Sequence, residues 1–145
     1  MRVLGLDFGA KTVGAAVSDP LGLTARPVEI IRRDRENHLR KTMKRIGELI
    51  RDYEVTEIVL GYPLNMDDSA GERAEKTKEF RLQLLSRFHL PVTLVDERLT
   101  TVEAEEIMRE AGIPASLFKE HVDAVAAQII LEDWLNHGNS NIYHR

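Results

Sequence analysis

Three acidic positions carry the chemistry that the residue types of this 145-residue sequence allow. Asp7 directly follows the apolar run Val3-Leu4-Gly5-Leu6 and precedes Phe8-Gly9, which brings a carboxylate to a strand end beside a permissive backbone. A turn aspartate capping local amides has the same signature. Asp96 and Glu97 leave a second apolar run, Val92-Thr93-Leu94-Val95, in the same way. Alternation along the strand sends one of the two toward the sheet end and its neighbour elsewhere, while Arg98 offers either acid a structural bridge. Asp123 lies in Val122-Asp123-Ala124-Val125-Ala126-Ala127-Gln128-Ile129-Ile130-Leu131, where only Asp123 and Gln128 interrupt an otherwise apolar helix surface. Such a helix is buried, and an unpaired carboxylate on it is costly. Asp123 therefore needs a cation, either a Lys or Arg in a core ion pair or a divalent metal shared with Asp7 and Glu97.

Carboxylates gathered from distant positions repel one another unless a cation holds them. Hard oxygen donors suit Mg²⁺ or Mn²⁺, and such ions activate water and offset the charge of a reacting phosphate, which is phosphodiester hydrolysis. With no cysteine, thiolate metal sites and cysteine nucleophiles are excluded, and a reducing cytoplasm is the expected compartment. The five histidines, His38, His89, His121, His137 and His144, contain no i, i+4 pair, so none is assigned as a ligand.

The elements that must position these acids follow from periodicity. Residues 3–6, 12–18 and 28–30 read as a three-strand meander with turns at Gly9-Ala10-Lys11 and Asp19-Pro20-Leu21-Gly22. From Leu39 the period changes to that of a helix, with Met43, Ile46 and Ile50 inward and Arg40, Lys41, Lys44 and Arg45 elsewhere on the cylinder. Residues 58–60 and 92–95 read as short buried strands, and three helices are predicted: one opening near Asp67-Asp68-Ser69, one from Thr100 to about Gly112, one over about 117–135. A meander followed by strand-helix alternation predicts one α/β domain over 1–145, a mixed five-stranded sheet flanked by about four helices.

Charge is uneven. From Arg26 to Arg51 there are nine Lys/Arg against four Asp/Glu, on a chain whose net charge is -4. A basic section on an acidic protein points to a local anionic partner or to a solvated helix face. No apolar run approaches the ~20 residues of a membrane-spanning helix, and Asp7 comes too early for a secretory signal. No membrane partner is expected.

The linked segments Gly5-Leu6-Asp7-Phe8-Gly9-Ala10-Lys11, Gly14 with Ala16-Val17-Ser18-Asp19, Gly61-Tyr62-Pro63-Leu64-Asn65-Met66, Asp96-Glu97-Arg98-Leu99-Thr100-Thr101 and Asp123-Ala124-Val125-Ala126-Ala127 resemble the YqgF family of RNase H-like proteins. The resemblance spans almost the whole chain. It implies an RNase H-like sheet of order 3-2-1-4-5 and a cytoplasmic nuclease of ribosome biogenesis, proposed to process the 5′ end of pre-16S rRNA and formerly described as a Holliday junction resolvase. It makes Asp7, Glu97 and Asp123 the catalytic, Mg²⁺- or Mn²⁺-binding acids. Lys11, Thr12, Gly61, Arg98 and Thr100 would meet substrate near them, with Arg32, Arg33, Arg35, Arg40, Lys41, Lys44 and Arg45 guiding the backbone electrostatically. Thr12 departs from the arginine usual in the family, and Glu120-His121 replace a commonly basic approach to the last acid.

The partners implied are structured RNA, as precursor rRNA or ribosomal particles, or branched DNA; oligomeric state is not specified. A non-catalytic RNA-binding assembly factor is the reading from another class. An actin-like phosphotransferase needs two lobes, and this chain is too short for both. One geometric demand stands out. In that strand order Glu97 starts two strands from Asp7, roughly 10 Å at ~4.8 Å per step, and must reach inward past Gly61-Tyr62-Pro63. Failing that, Asn65 or Asp67 takes its place.

Overall fold

The computed structural model describes residues 2–63, 71–97, 100–137 and 142–143, with the backbone alone at 100–102, 119, 120, 123, 137, 142 and 143. β1 (Arg2–Phe8), β2 (Thr12–Ser18) and β3 (Ala25–Arg32) form the antiparallel meander. α1 (Arg40–Asp52) crosses to β4 (Val55–Tyr62), and α2 (Glu72–Phe88) crosses to β5 (Val92–Asp96). β4 lies parallel to β1 and β5 parallel to β4, so all three strands end at one edge of the sheet. α3 (Thr100–Glu110), a 3-10 turn at Ala115–Leu117 and α4 (Phe118–His137) follow. The strand order is the expected 3-2-1-4-5, extended by β6 (Ile142–Tyr143), which pairs antiparallel with β5. Two residues make no periodic run, which is why β6 has no sequence signal.

The central strands are apolar on both faces because helices cover both. Leu4, Leu6 and Phe8 pack with Met43, Ile46 and Leu49 of α1 and with Phe80 and Leu84 of α2. Phe8 stacks on Phe80 at 4.1 Å between ring centroids. Val3, Val59 and Val95 face the other way, onto Ala127, Ile130 and Leu131 of α4. The opposite side of α4 meets Ala104 and Met108 of α3 through Ile129, which explains its all-round apolar surface. Gln128, the polar interruption there, donates from Nε2 to the Ala25 carbonyl at 3.3 Å.

Candidate active site

Alternation along β1 puts Gly5 and Asp7 on the face that α4 covers. A Cβ at Gly5 would lie 2.8 Å from Leu131 Cβ and 3.1 Å from the Ala127 carbonyl, so the glycine is what lets α4 lie directly on the strand. Asp7, one step further along the same face, reaches the sheet edge where β1, β4 and β5 end.

Glu97 meets it there. The Glu97 amide donates to the Tyr62 carbonyl at 3.3 Å, which carries the pairing of β5 with β4 one residue past Asp96. Its side chain then turns inward across β4. A Cβ at Gly61 would stand 2.5 Å from Glu97 Oε2 and 2.6 Å from Ile130 Cδ1, so the carboxyl group occupies the space that any larger residue at 61 would fill. Gly61, expected to meet substrate, is buried beneath Glu97 instead.

The Glu97 carboxyl group donates a hydrogen bond to Asp7 and is held well above the usual carboxylate range. Burial is the largest cause, followed by the charge of Asp7, the hydrogen bond to it and the charge of Asp96, while Arg73 opposes them. Glu97 thus spans the two-strand distance to Asp7; Asn65 and Asp67, the alternatives to it, lie outside the described residues.

A frame of guanidinium groups, unmarked in the sequence apart from Arg33, holds the turn after Asp7. Arg73 of α2 donates from Nη2 to the Phe8 carbonyl at 3.2 Å and forms an ion pair with Glu36 through Nη1. Arg33 donates from Nη2 to the Gly9 carbonyl at 2.6 Å and from Nε to the Glu36 carbonyl at 3.0 Å. Both sit over the Phe8 ring, 4.8 Å (Arg33) and 5.4 Å (Arg73) from its centroid. Burial pulls both below the ordinary guanidinium value; for Arg33 the charge of Arg73 adds to this, whereas Asp7 and Glu97 act the other way on Arg73. Arg73 and Glu36 carry no sequence signal because neither belongs to a periodic run that points at Asp7.

The other predicted residues distribute as follows. Lys11 is exposed in the β1–β2 turn and Thr12 accepts the Gly9 amide on its carbonyl at 2.7 Å. Arg40 and Lys44 are exposed on α1. Arg45 is not free to guide a phosphate backbone: its guanidinium is held by Glu29 at 2.6 Å and Glu48 at 3.1 Å. Arg98 lies outside the described residues, as do the side chains of Thr100, which opens α3, and Asp123. In backbone register, Asp123 precedes Ala127 and Leu131 by one and two turns along α4. Those two residues pack on Gly5, and Leu135 approaches Gly22 in the turn at the far end of the sheet. Asp123 therefore occupies the turn of α4 toward the Asp7 end.

Among the described side chains no three potential ligands gather. The pair that does gather fits a hard divalent cation. Two carboxyl groups in contact, one kept protonated by burial and by its neighbour, are a donor set short of positive charge, and replacing that proton with Mg²⁺ or Mn²⁺ relieves the repulsion.

Known proteins resemble this chain over nearly its whole length. A family model described as RuvX: Holliday junction resolvase matches residues 1–137. A protein of Lachnospira eligens named "Putative pre-16S rRNA nuclease" is 54% identical over 135 residues, 93% of this chain and 96% of that one. One of Agathobacter rectalis with the same name is 55% identical over 137 residues, covering 94% and 96%. Among solved structures, T. thermophilus RuvC in complex with Holliday junction substrate superposes with a TM-score of 0.56 at 15% identity, covering 99% of each chain. The fowlpox virus resolvase with Holliday junction DNA gives 0.54 at 12%, over 94% of this chain and 98% of that one. These two likenesses concern the fold, which is RNase H-like.

Proposed function

Since the chain belongs to the RuvX (YqgF) family, we propose that it is a divalent-metal-dependent nuclease that hydrolyses phosphodiester bonds in structured RNA, processing the 5′ end of pre-16S rRNA. The observation that carries this reading is the contact of Asp7 with Glu97 over Gly61 at the sheet edge. Asp7, Glu97 and Asp123 would hold Mg²⁺ or Mn²⁺, which when bound supplies charge neutralisation and activation of water. Glu97 must give up its proton for this, and burial keeps bulk water from screening the result. Arg73 and Arg33 fix the backbone after Asp7, so its carboxylate has one direction to point. Lys11, Thr12, Arg98 and Thr100 lie in sequence around the acids and would orient the phosphate, while Arg40 and Lys44 would draw the backbone in.

RNA is favoured by the names of relatives near 55% identity that match over almost their full length. Cleavage of a four-way DNA junction is the second reading, favoured by the family description and by the RuvC-like fold. The first reading places the protein in the cytoplasm with its substrate; among the described residues no helix is long and apolar enough to cross a membrane. The test is purified protein with Mn²⁺ on pre-16S rRNA and on a four-way DNA junction, beside the Asp7→Asn variant. Cleavage of the rRNA that Asp7→Asn abolishes with folding intact is expected. Cleavage of the junction alone moves the assignment to the resolvase, and metal-dependent activity retained by Asp7→Asn overturns both.

A further inference from the structure

Beside the guanidinium frame the surface opens into a cavity of about 670 Å³, lined by Arg32, Arg33, Asn37, His38, Arg40 and Lys41. Its volume lies in the range of small-molecule sites. Its chemistry is cationic: Arg32, Arg33, Arg40 and Lys41 outnumber the one acid in its wall, Asp34, whose Oδ1 lies 3.3 Å from His38 Nδ1. Among the described residues Arg32, Arg40 and Lys41 have no carboxylate partner, in contrast with Arg45 further along α1. Arg33, the fourth cation of the wall, is held in place by the hydrogen bonds of its Nε and Nη2. The same side chain grips the Gly9 carbonyl, two residues from Asp7, so the cavity adjoins the catalytic end of the sheet.

We propose that this cavity binds a nucleoside phosphate, namely one nucleotide of the strand that flanks the bond at the acid pair. The assignment rests on the nuclease reading for its choice of strand, not for its choice of ligand. Guanidinium and ammonium groups around an open volume match a phosphate, while His38 and Asn37 offer the polar edges a base or sugar would use. Arg33 favours a strand, because the same side chain lines the cavity and holds the Gly9 carbonyl two residues from Asp7.

The experiment is fluorescence anisotropy of a labelled single-stranded RNA oligomer on the full chain in EDTA, so that binding is read without cleavage. Arg40→Glu/Lys41→Glu is compared with wild type and with Arg51→Glu, at the far end of α1, after circular dichroism shows all three folded. The double variant is expected to bind at least about tenfold more weakly, with the slope of log K against log salt smaller by about 1.4, or two phosphate contacts, and Arg51→Glu to bind as wild type. Equal binding by the double variant overturns the proposal. AMP is the second arm: displacement of the oligomer from wild type by millimolar AMP is expected of a cavity that holds one nucleotide, and no displacement at that concentration overturns the nucleotide assignment. Cleavage in Mn²⁺ separates this result from the nuclease reading. Binding that depends on the cavity in a protein that never cleaves sinks the latter alone, and normal cleavage by the double variant with unchanged binding sinks the former alone.

Discussion

Two charge clusters sit on this sheet and are built on opposite principles. On β3 and α1, Arg45 lies between Glu29 and Glu48, each within 3.1 Å, and the three half-exposed groups satisfy one another. At the ends of β1 and β5, Asp7 and Glu97 are two acids in contact, and Arg73, whose charge acts on both, is bonded to Glu36 and to the Phe8 carbonyl. The first cluster is complete without a ligand. On the proposed function the second would be completed by a divalent cation, and Gly61 makes room for Glu97 to reach Asp7, since a β-carbon there would displace the carboxyl group. Acids held in contact with each other are therefore the mark that separates the proposed reactive end of the sheet from its structural charges.

The contrast breaks most completely if Glu97 is neutralised. Glu97→Gln keeps the shape and a hydrogen bond to Asp7 but removes one ligand charge, and several kcal/mol of metal-borne stabilisation correspond to a loss of about 10³-fold in kcat. In EDTA the same variant should be no less stable than wild type at pH 8, because a carboxylate destabilised by its surroundings has been replaced. Calorimetric Mn²⁺ titration, single-turnover cleavage and thermal melts check the three parts. Wild-type cleavage by Glu97→Gln would remove Glu97 from the site.

Gly61→Ala strikes the same site without touching a ligand. The added methyl would stand 2.5 Å from Glu97 Oε2 and 2.6 Å from Ile130 Cδ1, and neither distance is tenable. Overpacking of this kind costs about 1–3 kcal/mol, and displacing Glu97 should weaken Mn²⁺ binding about tenfold or more. Urea denaturation reads the first and calorimetry the second. A stability loss with Mn²⁺ affinity unchanged would mean that Ile130 alone yields and Glu97 stays in place.

How much of this was legible before the fold was known depended on whether a residue belonged to a pattern. Asp7 and Glu97 were visible because each ends an apolar run, and the strand order brought them to one edge. The burial of α4 is visible in Ala126 to Leu131, while the bond of Gln128 to the Ala25 carbonyl, 103 residues away, is not. Arg73 and Glu36 were not visible, since their partners lie 65 and 37 residues away and no local period connects them. Arg45 was misplaced for a related reason: a helix wheel puts it beside Lys41 and Lys44, but only the pairing of β3 with β2 brings Glu29 under it. Gly61 is expected from the sequence to meet substrate, and the space beside it is filled by the Glu97 carboxyl group.

The pH dependence of the metal-free protein sharpens the contrast. Glu97 is raised above its ordinary 4.5 in the folded state, so the folded chain holds a proton that the unfolded chain releases. The resulting stability is fully present below the unfolded value and is lost as pH rises through the folded one. Glu57, raised by burial alone, adds a change of the same sign. In EDTA the denaturation midpoint should therefore fall as pH rises above about 4.5, less so in Glu97→Gln, where only Glu57 remains. Saturating Mn²⁺ should reverse the slope for wild type, since metal competes with the proton. An identical slope in wild type and Glu97→Gln would show that Glu97 titrates normally.

The smallest effect belongs to the self-satisfied cluster. Arg45 is stabilised in its charged form first by the hydrogen bonds to Glu29 and then by those to Glu48. All three groups remain partly open to solvent, where screening and side-chain entropy absorb most of the Coulomb gain. Arg45→Ala should cost no more than about 1 kcal/mol in urea denaturation, with a smaller cost at high salt. RNA binding should hardly change, because a cation already bound to two carboxylates offers a phosphate little. A loss of RNA affinity matching that of Arg40→Glu/Lys41→Glu would show instead that Arg45 leaves its acids when a strand arrives, and the division between completed and uncompleted charge would then hold only for the unbound protein.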